Sequence, residues 1–235
     1  MVKIMKLFCI PYAGGSETIF YSWRKYLGHS IELVPIQLKG RGRRFSESLY
    51  KSVEEAVDDI FVNIKDKIVD DDFCIYGHSM GSLLAYELYY KLSDGDFKLP
   101  KHIFFSGHKA PSKMLHNRTI LELSDNDFIN YITKFGGMSE EILDYQELLQ
   151  IFLPVIKNDI RILDNYNYEE KLARINCDVS IFYGKKDDIS MEDILAWKNH
   201  VCKSIELYSF EGNHFFINDN IEYITNIIST ILERY

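Results

Sequence analysis

Six short apolar runs, at residues 5–10, 31–36, 73–76, 102–106, 179–183 and 205–210, set the tightest limit on what this chain can fold into. They are continuously apolar rather than alternating, as strands are when a parallel sheet is covered on both faces. Segments of helical period lie between them. Over 51–69, Val53, Ala56, Val57, Ile60, Ile64 and Ile68 fall on one stripe, and 80–92 carries Leu83, Leu84, Tyr86, Glu87, Leu88 and Leu92. Residues 190–202 and 219–234 also read as helices. Adjacent parallel strands need a crossover, so strands alternating with helices predict an α/β fold with right-handed connections. A length of 235 residues suits one domain, 1–235, with a large core.

One stretch breaks the alternation. Residues 111–172 show no convincing strand, only helical pieces near 125–135, 139–150 and 152–164, interrupted by Gly136-Gly137 and Pro154. A compact domain does not carry a structureless loop of that length, so a helical insertion is expected, placed where a lid could cover a site.

The formal charge of −8 argues against general nucleic-acid binding, which needs a surplus of Lys and Arg. Cys9, Cys74, Cys177 and Cys202 show neither CxxC pairing nor metal-ligand spacing, so no metal is expected. Free thiols in apolar strands suit a reducing compartment. The first residues run into a strand without a signal-peptide core, and no apolar run reaches the ~18 residues of a membrane span. The expectation is a cytoplasmic protein with no membrane partner.

The strongest local signal is Gly77-His78-Ser79-Met80-Gly81, between the apolar run Phe73-Cys74-Ile75-Tyr76 and an amphipathic helix. Strand, Gly-x-Ser-x-Gly, then helix is the context of a nucleophile elbow, in which a sharp turn lifts the serine side chain clear of the backbone. Ser79 is therefore the candidate nucleophile. A serine hydroxyl needs a base. Of the seven histidines, His78 belongs to the elbow, His200 lies on a helix, and His29, His102, His108 and His116 come too early in the chain order. His214, after the last strand and before the final helix, is the candidate base. The acid should follow the strand at 179–183, where Asp187 and Asp188 both qualify; the order Ser, Asp, His is that of α/β-hydrolases. For the oxyanion hole, Met80 N–H directly follows the nucleophile. A second donor is expected from Pro11-Tyr12-Ala13-Gly14-Gly15, with Ala13 first and Tyr12 next.

Taken in order, these motifs resemble the stand-alone (type II) thioesterases that accompany non-ribosomal peptide and polyketide synthetases. The resemblance spans nearly the whole chain. It rests on Pro11-Tyr12-Ala13-Gly14-Gly15, Gln37-Leu38-Lys39-Gly40-Arg41-Gly42-Arg43, Gly77-His78-Ser79-Met80-Gly81, Phe135-Gly136-Gly137-Met138, Gly184-Lys185-Lys186-Asp187, Trp197 and Gly212-Asn213-His214-Phe215-Phe216. Lys39 departs from the family's proline before Gly-Arg, and Asn213 from a frequent second glycine. The resemblance implies an α/β-hydrolase fold and hydrolysis of acyl or aminoacyl thioesters from the phosphopantetheine arm of a carrier protein, clearing misprimed synthetases. It implies no cofactor, and it places the triad acid three residues after the glycine, at Asp187.

Two other functions fit the residues: a general carboxylesterase or acyl-CoA hydrolase on the same triad, and a non-catalytic carrier-binding module. Lys39, Arg41, Arg43 and Arg44 form a basic loop expected on the same sheet edge as the elbow. Arg41, Arg43 and Arg44 there could meet substrate phosphate or an acidic carrier, or could pair with acids of this same chain.

Overall fold

The computed structural model describes residues 4–114, 120–134 and 146–235. The motif Phe135-Gly136-Gly137-Met138, His116 and the first half of the helix expected at 139–150 lie outside them. All six apolar runs are strands: β1 (Met5–Ile10), β2 (Ile31–Pro35), β3 (Asp72–His78), β4 (His102–Ser106), β5 (Asp178–Gly184) and β6 (Ile205–Phe210). They form one parallel sheet in the order β2-β1-β3-β4-β5-β6. β3 and β5 reach past their apolar runs into Asp72, Gly77, His78, Asp178 and Gly184, because the ladder pairs backbones and does not stop where polarity begins.

Both faces are covered, which explains the unbroken apolar runs. Along β1, Phe8 and Ile10 enter the core beneath α1 (Val53–Ile64) and α2 (Met80–Asp94). Leu7 and Cys9 point the other way, into a second core with Phe20, Trp23, Ile224 and Ile228. Every residue of the stripe expected on 51–69 is buried. Ser52 starts α1 by accepting the Glu55 N–H through its hydroxyl.

The helical stretches differ in detail from their sequence reading. The segment 190–202 holds only α5 (Met191–Leu195) and a 3-10 turn over Ala196–Asn199. The last segment is two helices, α6 (Phe216–Asp219) and α7 (Ile221–Leu232), divided at Asn220, whose side-chain amide donates to the carbonyls of Glu211 and Phe216. Among the described residues of 111–172 there is no strand; they hold α3 (Asp125–Lys134) and α4 (Gln146–Asp164). Pro154 does not break α4, contrary to the expected interruption. It forfeits one backbone hydrogen bond, and Leu153 and Ile156 beside it pack with Phe128 and Ile132 of α3 into a separate small core.

The strand order reverses at β1, which pairs β2 on one side and β3 on the other. The loops leaving β1 and β3 therefore diverge and open a crevice at the carboxyl edge, where ligands of such sheets bind. Those loops are Pro11–Gly15 and the elbow.

Candidate active site

Ser79 joins β3 to α2 with φ 54° and ψ −118°, a region that costs a side-chain-bearing residue ~1–3 kcal/mol. The surroundings hold it there. Its N–H donates to Ser106 O at 2.7 Å. Ser82 Oγ lies 2.7 Å from Gly77 O and accepts the Ser106 N–H at 2.9 Å. A Cβ on Gly77 would collide with the Gly81 backbone, and one on Gly81 with the carbonyl of Ile10. Both glycines of the motif are thus required by close approach.

The structure brings Ser79, His214 and Asp187 together. Ser79 Oγ is 2.8 Å from His214 Nε2, and His214 Nδ1 is 3.0 Å from Asp187 Oδ2. A carboxylate can only accept, so Nδ1 carries the proton and Nε2 presents a lone pair to the serine hydroxyl. The Asp187 side chain is 4% exposed and that of His214 21%. Between Asp187 and Asp188, the bond to His214 comes from Asp187; Asp188 is exposed. Two backbone bonds join the turns carrying Asp187 and His214: Lys185 N–H to Phe210 O and Lys186 N–H to Gly212 O, both 2.9 Å.

Met80 opens α2 and is buried, at the positive end of the helix next to Ser79. In the turn after β1, Gly14 N–H is taken by Asp159 Oδ2 (2.7 Å) and Gly15 N–H by Tyr12 O (2.9 Å). Tyr12 and Ala13 are the turn residues that line a cavity of 160 Å³ in front of Ser79 and His214. The remaining walls are apolar: Tyr131 and Ile132 from α3, Ile156, Ile160 and Leu163 from α4, and Phe215, which meets Tyr12 edge-on at 5.0 Å. Among the described residues, three larger hollows, of 570, 480 and 410 Å³, touch none of the three residues. Converging chemistry locates the site better than size.

The basic loop is largely committed to the chain's own acids. Arg41 is buried and bidentate to Asp159 at 2.5 and 2.8 Å, with further donations to Lys39 O and Gly15 O. Arg44 is bidentate to Asp59 at 2.7 and 2.8 Å and also bonds Glu47 and Gln37 O. Arg41 and Arg44 are thus paired with acids of this same chain, one of the two arrangements expected of them. Arg43 bonds Glu17 at 3.1 Å, yet its side chain stays 68% exposed.

Sequence reasoning missed two residues. Asp159 is a fully buried acid on the inward stripe of α4, between Ile156 and Leu163, and a charge on an apolar stripe is the signal that could have found it. His78 was read only as part of the elbow. It is fully buried, with Nδ1 2.8 Å from Ser106 Oγ and Nε2 3.0 Å from the carbonyl oxygen of His214.

A serine held in a strained strand-to-helix turn, in line with an imidazole and a carboxylate at the carboxyl edge of a parallel sheet, defines an α/β-hydrolase-fold protein. Comparison with known families narrows the class: residues 5–235 match the thioesterase domain, and the chain belongs to that family. It is 30% identical over 233 residues to a Brevibacillus parabrevis protein described as linear gramicidin dehydrogenase LgrE, covering 97% of this chain and 88% of that one. The crystal structure of ClbQ from the colibactin NRPS/PKS pathway superposes with a TM-score of 0.94 at 30% identity, over 99% of this chain and 98% of the other. The type II thioesterase BorB from the borrelidin biosynthetic cluster superposes with a TM-score of 0.87 at 26% identity, over 97% and 92%.

Proposed function

We propose that this chain is a type II thioesterase that hydrolyses acyl or aminoacyl thioesters from the phosphopantetheine arm of a carrier protein, clearing misprimed synthetases. The observation that carries this reading is the hydrogen-bonded line Ser79–His214–Asp187 opening on an apolar cavity in a thioesterase-family chain. His214 Nε2 takes the Ser79 proton as Oγ attacks the thioester carbonyl. The oxyanion is met by the N–H groups of Met80 and Ala13. The C–S bond breaks and the proton on His214 passes to the departing thiolate. Water activated by His214 then attacks the acyl-serine, and the acid leaves as Ser79 regains its proton. Asp187 holds the imidazole tautomer and faces the imidazolium charge.

The described helices of 111–172, α3 and α4, serve as a lid within a single domain, because they supply the outer walls of the cavity. The cytoplasm, where carrier-borne thioesters are made, is the proposed location. Burial raises the thiol pKa of Cys9 and Cys74, as expected of structural cysteines kept reduced. The dehydrogenase in one relative's name has no counterpart in this sequence: the turn after β1 reads Pro-Tyr-Ala-Gly-Gly, without the Gly-x-Gly-x-x-Gly that brings a dinucleotide pyrophosphate against the backbone.

The decisive experiment is mass spectrometry of carrier proteins loaded with several acyl groups, before and after incubation, beside acyl-CoA and a free ester. Faster release from the carrier is expected. Ser79→Ala should lower it by several powers of ten while the protein stays folded. Equal or faster cleavage of the free ester would make this a general esterase, and an active, folded Ser79→Ala would overturn the mechanism.

A further inference from the structure

Helix α4 grips the turn after β1 at two points. Asp159 Oδ2 accepts the Gly14 N–H at 2.7 Å. One turn earlier on the same helix, Ile156 packs on Gly14 so closely that a Cβ there would collide with Ile156 Cγ1, and the residue has φ +78°, which a glycine takes without strain. The Asp159 carboxylate, fully buried, also receives both arms of the Arg41 guanidinium, and Arg41 in turn reaches Gly15 O at 3.4 Å. The turn is thus held at the N–H of Gly14 and at the carbonyl of Gly15 by one buried ion pair. Ile156, Ile160 and Leu163 of the same helix line the cavity in front of Ser79.

A buried ion pair is weak evidence of stabilisation, since well-packed apolar groups often do as well. Its geometry here points elsewhere. We propose that Asp159 is a positioning residue: by holding the Gly14 amide it sets the direction of the neighbouring Ala13 N–H toward Ser79, so that the placement of α4 over the cavity determines whether the oxyanion donor is aligned. The inference rests on the proposed hydrolytic role of Ser79 and the turn, and not on the identity of the acyl carrier. A donor aimed at developing charge acts in the transition state, so misalignment lowers kcat and leaves ground-state binding alone.

The test uses butyryl-N-acetylcysteamine, a small thioester without carrier or phosphate, and butylboronic acid, which forms a tetrahedral adduct on an active serine. In Arg41→Met/Asp159→Leu both charges go together, so the fold is relieved of an unpaired ion while Gly14 N–H loses its acceptor. With folding checked by circular dichroism, kcat should fall roughly 10- to 100-fold, short of the ~10²–10³ for outright loss of an oxyanion donor. KM should stay within about 3-fold, and boronate affinity should fall in proportion to kcat/KM. Asp159→Asn keeps an oxygen for Gly14 N–H and should lose less, roughly 3- to 10-fold in kcat; it decides the matter alone if the double variant does not fold. Either variant, folded and with wild-type kcat, or with its loss confined to KM, overturns the proposal. Turnover of the small thioester with no activity on carrier-bound acyl groups would sink only the proposed substrate. A wild-type protein that neither cleaves the thioester nor binds the boronate would sink both.

Discussion

His78 donates its Nε2–H to the backbone carbonyl of His214 at 3.0 Å, tying the residue before the elbow serine to the loop that carries the candidate base. The direction is fixed by proton count. Tyr76 O–H donates to Ser106 Oγ, and Ser106 O–H to His78 Nδ1, both at 2.8 Å, which leaves the His78 proton on Nε2. Burial first, and the repulsion a charge on His214 would exert second, push His78 well below the usual histidine range, so it stays neutral.

Replacing that imidazole should be felt in both fold and turnover. His78→Leu leaves Ser106 Oγ–H and the His214 carbonyl without their buried partner, at a cost of ~1–3 kcal/mol. Loosening His214 should also lower kcat about 10- to 100-fold, since a misplacement near 1 Å can cost that much. Urea denaturation and steady-state kinetics would measure the two, and wild-type values in both would refute the positioning role.

The adjacent acids should separate cleanly. Asp187→Asn removes the carboxylate that fixes the His214 tautomer, and the expected loss in kcat is on the order of 10⁴-fold. Asp188→Asn, at an exposed position, should remain within a few-fold of wild type. A crippled Asp188→Asn beside an active Asp187→Asn would show that the observed bond is not the working one.

The arginines of the 41–44 loop should behave differently from one another. Arg44→Ala strands Asp59, which is also bonded by Tyr50 O–H at 2.7 Å, and should cost ~1–3 kcal/mol while lowering activity on all substrates alike. Arg43→Gln should leave stability within ~0.5 kcal/mol, because an exposed ion pair contributes little. If Arg43 meets an acidic carrier, KM for the carrier-bound substrate rises at low salt and recovers at high salt, with the small thioester unaffected. An equal effect on both substrates would remove Arg43 from docking.

Stability should fall on mild acidification. Burial pushes His102, bonded to Ser180 Oγ at 2.9 Å, and His108, bonded to Lys109 O at 2.6 Å, down to about 4. With folded values below the unfolded ~6.5, the unfolded chain binds more protons across that window. Stability is therefore retained above ~6.5 and lost as pH falls toward ~4, by up to ~1.4 kcal/mol per pH unit for each histidine. His78 acts in the same direction. Urea midpoints between pH 7 and 4 should drop, and His102→Gln should flatten the slope. A midpoint that is level or rises on acidification would contradict the burial argument.

The strands were readable in advance because burial on both faces leaves its mark residue by residue, as at Phe8, Cys9 and Ile10. Pro154 misled for the opposite reason: its local preference is to break a helix, and the packing of Leu153 and Ile156 against α3 overrides it. The split at Asn220 likewise reflects side-chain bonds to the Glu211 and Phe216 carbonyls rather than local period.

The sequence by itself determined the elbow at Ser79, the chain order that selects His214, and the parallel α/β architecture. Each is written in local spacing: glycines two residues either side of a serine, an apolar strand before it and an amphipathic helix after it. The residues alone left Asp187 and Asp188 open and the family spacing pointed to Asp187; the tertiary structure adds which of the two, lying in one turn, reaches His214 Nδ1. Only the tertiary structure shows Arg41 and Arg44 bonded to acids of this same chain. Asp159 lies 118 residues from Arg41, Asp59 lies 15 residues from Arg44, and both pairings follow from where α4 and α1 pack, which no local pattern encodes.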